Sequence, residues 1–91
     1  MISKRLFSAE EYEPQLRAFG FRYRRSIVLG NGEMYLLFTH DADGHPLTAQ
    51  GEPGYNGGKP VIPADVMDRL LYKAELISKR KNVRYFPGGL S

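Results

Sequence analysis

Two dipeptides, Asn31-Gly32 and Asp43-Gly44, most constrain what this chain can fold into. Each suits the positive φ angles of a tight hairpin turn, and each is flanked by alternating apolar and polar residues. Before the first, Phe21, Tyr23, Ile27 and Leu29 alternate with Arg22, Arg24 and Ser26. Arg25 breaks that alternation, which predicts a bulge near 24–25. A two-residue turn at Asn31-Gly32 sets Leu29 opposite Met34, Ile27 opposite Leu36 and Arg25 opposite Phe38 on the expected inner face. The outer face then pairs Val28 with Tyr35, Ser26 with Leu37, Arg24 with Thr39 and Arg22 with Asp41. The same device at Asp43-Gly44 pairs His40 with Leu47, Thr39 with Thr48 and Phe38 with Ala49. Pro46 has no amide to donate, so the third strand belongs at an edge. The expectation is a three-stranded antiparallel meander over 21–50.

A helix is expected on each side of it. Ser8-Ala9-Glu10-Glu11 has the spacing of a capping box, Tyr12, Leu16 and Phe19 form an inner stripe, and Gly20 ends the helix. Pro14 predicts a kink or restart. Residues 51–63 hold four glycines and three prolines and read as one long loop, with Pro63 at the first position of a second helix. In that helix Val66, Met67, Leu70, Leu71, Ala74 and Ile77 make an apolar stripe, and Asn82 stops it. Val83-Arg84-Tyr85-Phe86 reads as a short closing strand before a flexible tail, 87–91. The fold class is α+β, in the order α-β-β-β-α, with both helices on one face of the meander.

The 91 residues fit one small domain. Without cysteine there is no disulfide, cysteine zinc site or thiol nucleophile. The apolar run around Tyr35-Leu36-Leu37-Phe38 is far below the ~20 residues of a membrane span, so a soluble, cytoplasmic protein is expected. The net charge of +3 is unevenly spread. Residues 1–25 hold six bases and three acids, 26–72 two bases and six acids, and 73–91 five bases and one acid. If the two basic ends meet in space, they form a patch that attracts a polyanion or an acidic protein.

No motif announces catalysis. His40 with Asp41, Asp43 and His45 resembles a metal loop, but Pro46 follows His45 and the further oxygens an EF-hand needs are missing, so a turn is expected. Gly54-Tyr55-Asn56-Gly57-Gly58-Lys59 has proline at both positions, 53 and 60, where a phosphate loop needs Gly and Ser/Thr. Neither a cofactor nor a metal is expected, and the two histidines and scattered carboxylates do not form an acid–base pair.

The functional lead is the basic-aromatic strand from Phe19 to Arg25. Arg22 and Arg24 share its outer face with Tyr35, Thr39, Thr48 and Gln50, a mixture suited to phosphate contact and base stacking. Candidate binding residues are Arg22, Arg24, Tyr35, Tyr55, Lys59, Lys79, Arg80, Lys81 and Arg84. The leading expectation is a non-enzymatic module that binds nucleic acid or a nucleic-acid-handling complex. The alternative is a protein inhibitor or adaptor, of the kind phage and mobile elements encode, docking on a host protein through the 51–63 loop and the sheet edge. The layout of residues 8–78, with Gly20-Phe21 opening a strand and Val61-Ile62-Pro63 leading into a helix, resembles at topology level the double-stranded-RNA-binding fold and the HicA-type toxins built on it. A degenerate member of that group is the second alternative. No residue role carries over. Gly30-Asn31-Gly32-Glu33 stands where the toxins carry a catalytic histidine, and Pro63-Ala64-Asp65 stands where the RNA binders have a lysine-rich helix start.

Overall fold

The computed structural model describes residues 5–54 and 58–85, with side chains through Arg80. Its elements are β1 (Leu6–Phe7), α1 (Ala9–Arg17), β2 (Phe21–Val28), β3 (Met34–His40), β4 (Pro46–Gly51), β5 (Ile62–Pro63) and α2 (Ala64–Tyr85). Strands β2, β3 and β4 form the expected antiparallel meander, and the helices give the α-β-β-β-α order of an α+β protein. A second sheet of two short strands, β1 with β5, lies outside what the sequence predicts.

Helix α1 starts as the capping box requires. The Ser8 amide donates to Glu11 Oε1 at 3.0 Å, and the Ser8 carbonyl accepts from the amides of Glu11 and Tyr12. The helix then runs as one piece through Pro14. It closes with tight bonds from the Phe19 amide to the Leu16 carbonyl and from the Gly20 amide to the Arg17 carbonyl. Gly20 has a φ of +88°, and a Cβ there would lie 2.6 Å from His40 Nε2. Only glycine satisfies both the backbone angle and the closeness of that ring.

Both hairpins form, each with a longer turn than predicted. In the first, the Gly32 amide donates to the Leu29 carbonyl at 2.9 Å and the Leu29 amide to the Glu33 carbonyl at 2.8 Å. Asn31 Oδ1 accepts from the Glu33 amide, and Gly32 has a positive φ of +90°. This is a three-residue loop, a turn followed by one left-handed glycine, rather than a two-residue turn. The register therefore slips by one: Val28 pairs with Met34, Ile27 with Tyr35, Ser26 with Leu36 and Arg25 with Leu37. A slip of one exchanges faces. Ile27 and Arg25, expected inside, lie on the outer face, and Leu29 is exposed in the turn. The predicted bulge falls at Arg24 and shifts the register once more, to Tyr23 with Phe38, Arg22 with Thr39 and Phe21 with His40.

In the second hairpin the loop is 41–44. The Gly44 amide donates to the His40 carbonyl at 2.7 Å, and the His40 amide to the His45 carbonyl at 2.9 Å. The pairs are Phe38 with Leu47, Leu37 with Thr48 and Leu36 with Ala49, two residues from the expected register. A slip of two keeps every side chain on its face, so Phe38 and Ala49 stay inside.

The loop after the meander is shorter than 51–63. Gly51 ends β4, Glu52 bridges Val61 through both backbone bonds, and Ile62 and Pro63 pair with Phe7 and Leu6. Pro63 thus precedes the helix instead of opening it. Helix α2 does not stop at Asn82: its backbone continues through Tyr85, which replaces the predicted closing strand. Phe86 and the tail 87–91 lie outside the described residues. No helix among these residues is long and apolar enough to cross a membrane.

The core gathers Tyr12 and Leu16 of α1, Phe21, Leu36, Phe38, Leu47 and Ala49 of the sheet, Ile62 of β5, and Met67, Leu70 and Ala74 of α2. Both helices pack on the same sheet face. Leu36→Ala and Leu70→Ala, each emptying a buried site, should cost about 2–5 kcal/mol apiece, read as a fall in the denaturant midpoint. The Glu11 carboxyl is held below its usual range by the Ser8 amide and then by Arg5, whose Nη2 is 2.6 Å from Oε2. A lowered native pKa gives stability that is present above the ordinary value of 4.5 and is lost as pH falls through the folded value. Glu11→Gln should therefore flatten the acid limb of a stability–pH curve by lowering its neutral plateau, while leaving stability at low pH close to the parent's.

Candidate functional site

Alternation along the central strand β3 sends Leu36 and Phe38 inward and Tyr35, Leu37 and Thr39 outward. The register decides their neighbours. Tyr35 lies between Ile27 and Gln50, Leu37 between Arg25 and Thr48, and Thr39 between Arg22 and Pro46. These residues make the outer face of the meander, opposite the helices. None of them is buried: Ile27, Tyr35, Leu37 and Thr39 are half-buried, and Arg22, Arg25, Pro46, Thr48 and Gln50 are exposed.

Charge is arranged along the rims of this face. Arg24, the bulge residue, and Arg25 follow Arg22 on β2, so three arginines stand on one strand. Arg22 Nε is 3.0 Å from Asp41 Oδ1, the neutralisation expected from the sequence. Arg24 and Arg25 make no ion pair among the described residues. On the opposite rim, Val66, Arg69, Leu70 and Lys73 of α2 meet Thr48, Ala49 and Gln50 of β4 around a shallow, open cleft of about 190 Å³. Arg69 is loosely paired with Asp65 at 3.8 Å. In the middle, the Tyr35 hydroxyl donates to Glu33 Oε1 at 3.1 Å. That bond, and the charge behind it, pushes the phenol pKa up, so the ring stays neutral.

Of the predicted binding residues, Arg22 and Tyr35 lie on this face, and Arg24 stands at the bulge of the β2 strand that borders it. Lys59 does not join them. Its Nζ is 2.8 Å from Glu13 Oε2 and lies 5.4 Å above the Tyr23 ring, on the helix side of the sheet. It fastens the loop to α1. Beside it the wholly buried Tyr12 donates its hydroxyl to the Pro60 carbonyl at 2.8 Å, and burial, then Tyr23 and Glu13, push its pKa up. Lys79 is paired with Glu75 at 3.1 Å, and Arg80 is exposed, both beyond Ala74, the last buried residue of α2 among those with described side chains. Tyr55 lies outside the described residues, as do the side chains of Lys81 and Arg84.

The 40–45 segment is a turn, as expected, and its polar groups are engaged in holding it. His40 Nδ1 accepts from the Ala42 amide, and Asp43 Oδ1 accepts from the His45 amide. Arg25, Ile27 and Leu37 are site residues that the predicted register hid or left unremarked. Arg69 and Lys73 were missed because nothing in the sequence says which flank of α2 borders β4. The chain matches no family model, no curated protein and no solved structure.

The Tyr12 bond is the testable link between the loop and the body. Tyr12→Phe keeps the ring but leaves the buried Pro60 carbonyl without its donor. It should cost about 1–3 kcal/mol, and hydrogen exchange should show the Glu52–Val61 bridge opening more often.

Proposed function

We propose that this chain is a small non-enzymatic binding module that contacts nucleic acid, or a complex that handles it, through the outer face of its meander. The observation that carries this reading is the placement of Arg24 and Arg25, without acidic partners among the described residues, beside the half-buried Tyr35, Leu37 and Ile27. Arginine on the rim binds phosphate, and an exposed ring with aliphatic neighbours binds the faces of bases. The reading as a non-enzyme is supported by His40, Asp41 and Asp43 of the 40–45 turn, each of which has a side-chain atom engaged by a backbone amide or by Arg22. A cytoplasmic place of action goes with such a target.

A protein target is the rival. It is favoured by the outer edge of β2, to which no strand is paired among the described residues and which suits an added partner strand. Salt separates the two readings. Binding to phosphates falls linearly in a log–log plot against salt, whereas a mainly apolar interface barely responds.

The test uses fluorescence anisotropy with labelled DNA and RNA at low salt. The native chain should bind, and Arg24→Gln with Arg25→Gln should weaken binding and lower the salt slope by about one unit for each phosphate no longer neutralised. The melting temperature of the double variant should stay close to the parent's, because exposed charges contribute little to stability. If the native chain binds neither DNA nor RNA at low salt, the nucleic-acid reading fails and the protein-target reading takes its place.

A further inference from the structure

We infer that the outer face takes nucleic acid as a single strand, with unstacked bases laid on Tyr35 and Leu37 and phosphates along the arginines of β2. This rests on the nucleic-acid reading above and narrows it to one structural class of ligand.

Width is the first argument. Three strands spaced about 4.8 Å apart place the axes of the outer two about 10 Å apart, before any side chain is added. The major groove of duplex DNA, about 12 Å wide, admits one helix or a two-stranded ribbon. The major groove of duplex RNA is deep and too narrow for side chains to read. A three-stranded face enters neither. Laid against the outside of a duplex, it would set Tyr35, Leu37 and Ile27 against phosphate oxygens and water, where apolar surface gains nothing.

The second argument is how polarity is distributed across the face. Its middle row, Tyr35, Leu37 and Thr39, carries no charge, while the β2 row carries Arg22, Arg24 and Arg25. Arg69 and Lys73 stand on the far rim beyond β4, so the middle row is the uncharged strip between two basic rims. A single strand with its bases turned inward lays them on that strip while its phosphates follow the arginines of β2, and a duplex, whose bases are stacked inside, has none to offer it. Tyr35 is prepared for stacking, since the bond from its hydroxyl to Glu33 restrains the ring on the open face. The Glu33 carboxylate repels phosphate at the hairpin end, which keeps the backbone of the strand over the arginines.

The experiment titrates the native chain, at low salt, with one oligonucleotide sequence in four forms: single-stranded and duplex, each as DNA and as RNA. At least one single-stranded form should bind about tenfold or more tighter than either duplex, and the two single strands compared show which sugar is preferred. Tyr35→Ala should weaken single-strand binding about fivefold or more, the range for removal of a base–aromatic stack, without changing the salt slope. Tyr35→Phe should stay within about twofold, because the ring and not the hydroxyl does the stacking. Should Tyr35→Ala fail to fold, Tyr35→Leu, which keeps apolar bulk on the strand but has no π-face, should show the same weakening. Duplex binding as tight as single-strand binding, or a folded Tyr35→Ala or Tyr35→Leu variant with native affinity, overturns this inference and leaves the nucleic-acid reading standing. Absence of binding to all four forms overturns both.

Discussion

The buried side chain of Tyr12 is the point on which the arrangement turns. Its ring meets Phe38 edge-on at 5.9 Å and Tyr23 at 6.5 Å, and its hydroxyl holds the Pro60 carbonyl. One residue thus ties α1 to the sheet and both to the segment that leads into β5 and α2. Aromatic pairs of this kind are worth about 0.5–1.5 kcal/mol each beyond the area they bury. The hydroxyl also satisfies a carbonyl that would otherwise be costly to bury. Lys59 reinforces the same junction from the surface, through Glu13 and the face of Tyr23. Because these fastenings lie on one side of the meander, both helices and the loop crowd that side and the other is left open.

The α+β architecture was legible in the sequence because its signals are local. The capping box, the left-handed glycines and the stripe of α2 each depend on a few neighbouring residues and on backbone angles that few side chains adopt. Register was less legible. Asn31-Gly32 suits a two-residue turn, yet Asn31 caps the Glu33 amide and the Leu29 amide reaches the Glu33 carbonyl, which leaves three residues in the loop. One extra loop residue then sent Ile27 to the outer face. The β1–β5 sheet was not legible at all. Two-residue strands have no periodicity to read, and Leu6-Phe7 and Ile62-Pro63 meet only through the tertiary fold. Helix α2 ran past Asn82 because a single asparagine is a weak stop when no glycine or proline follows directly.

The candidate site was partly legible for the same reason. Arg22 and Tyr35 lie on the outer face that alternation assigns them, because each keeps its place in its own strand whatever the register between strands. Arg25 was assigned inward and lies outward, since the extra loop residue moved its pairing from Phe38 to Leu37. Lys59 looked like a binding cation because the sequence shows its charge and not its partner, Glu13, 46 positions away. Arg69 and Lys73 reach the face only through the packing of α2 along β4.

The bulge at Arg24 has an effect that needs no ligand. Strand β2 is an edge, and an unpaired edge invites a second copy to extend the sheet. If two copies aligned antiparallel about the centre of Phe21–Val28, Arg24 of one would stand opposite Arg25 of the other. Like charges directly opposed across strands are destabilising, and the bulge also twists the edge away from a flat partner. That repulsion is electrostatic, so it fades as the screening length falls, from about 10 Å at 0.1 M salt to about 3 Å at 1 M. The arginines thus oppose growth of the sheet by its own copies, and concentrated salt weakens that opposition while the ring contacts and the hydroxyl bond of Tyr12, which carry no charge, are untouched by screening.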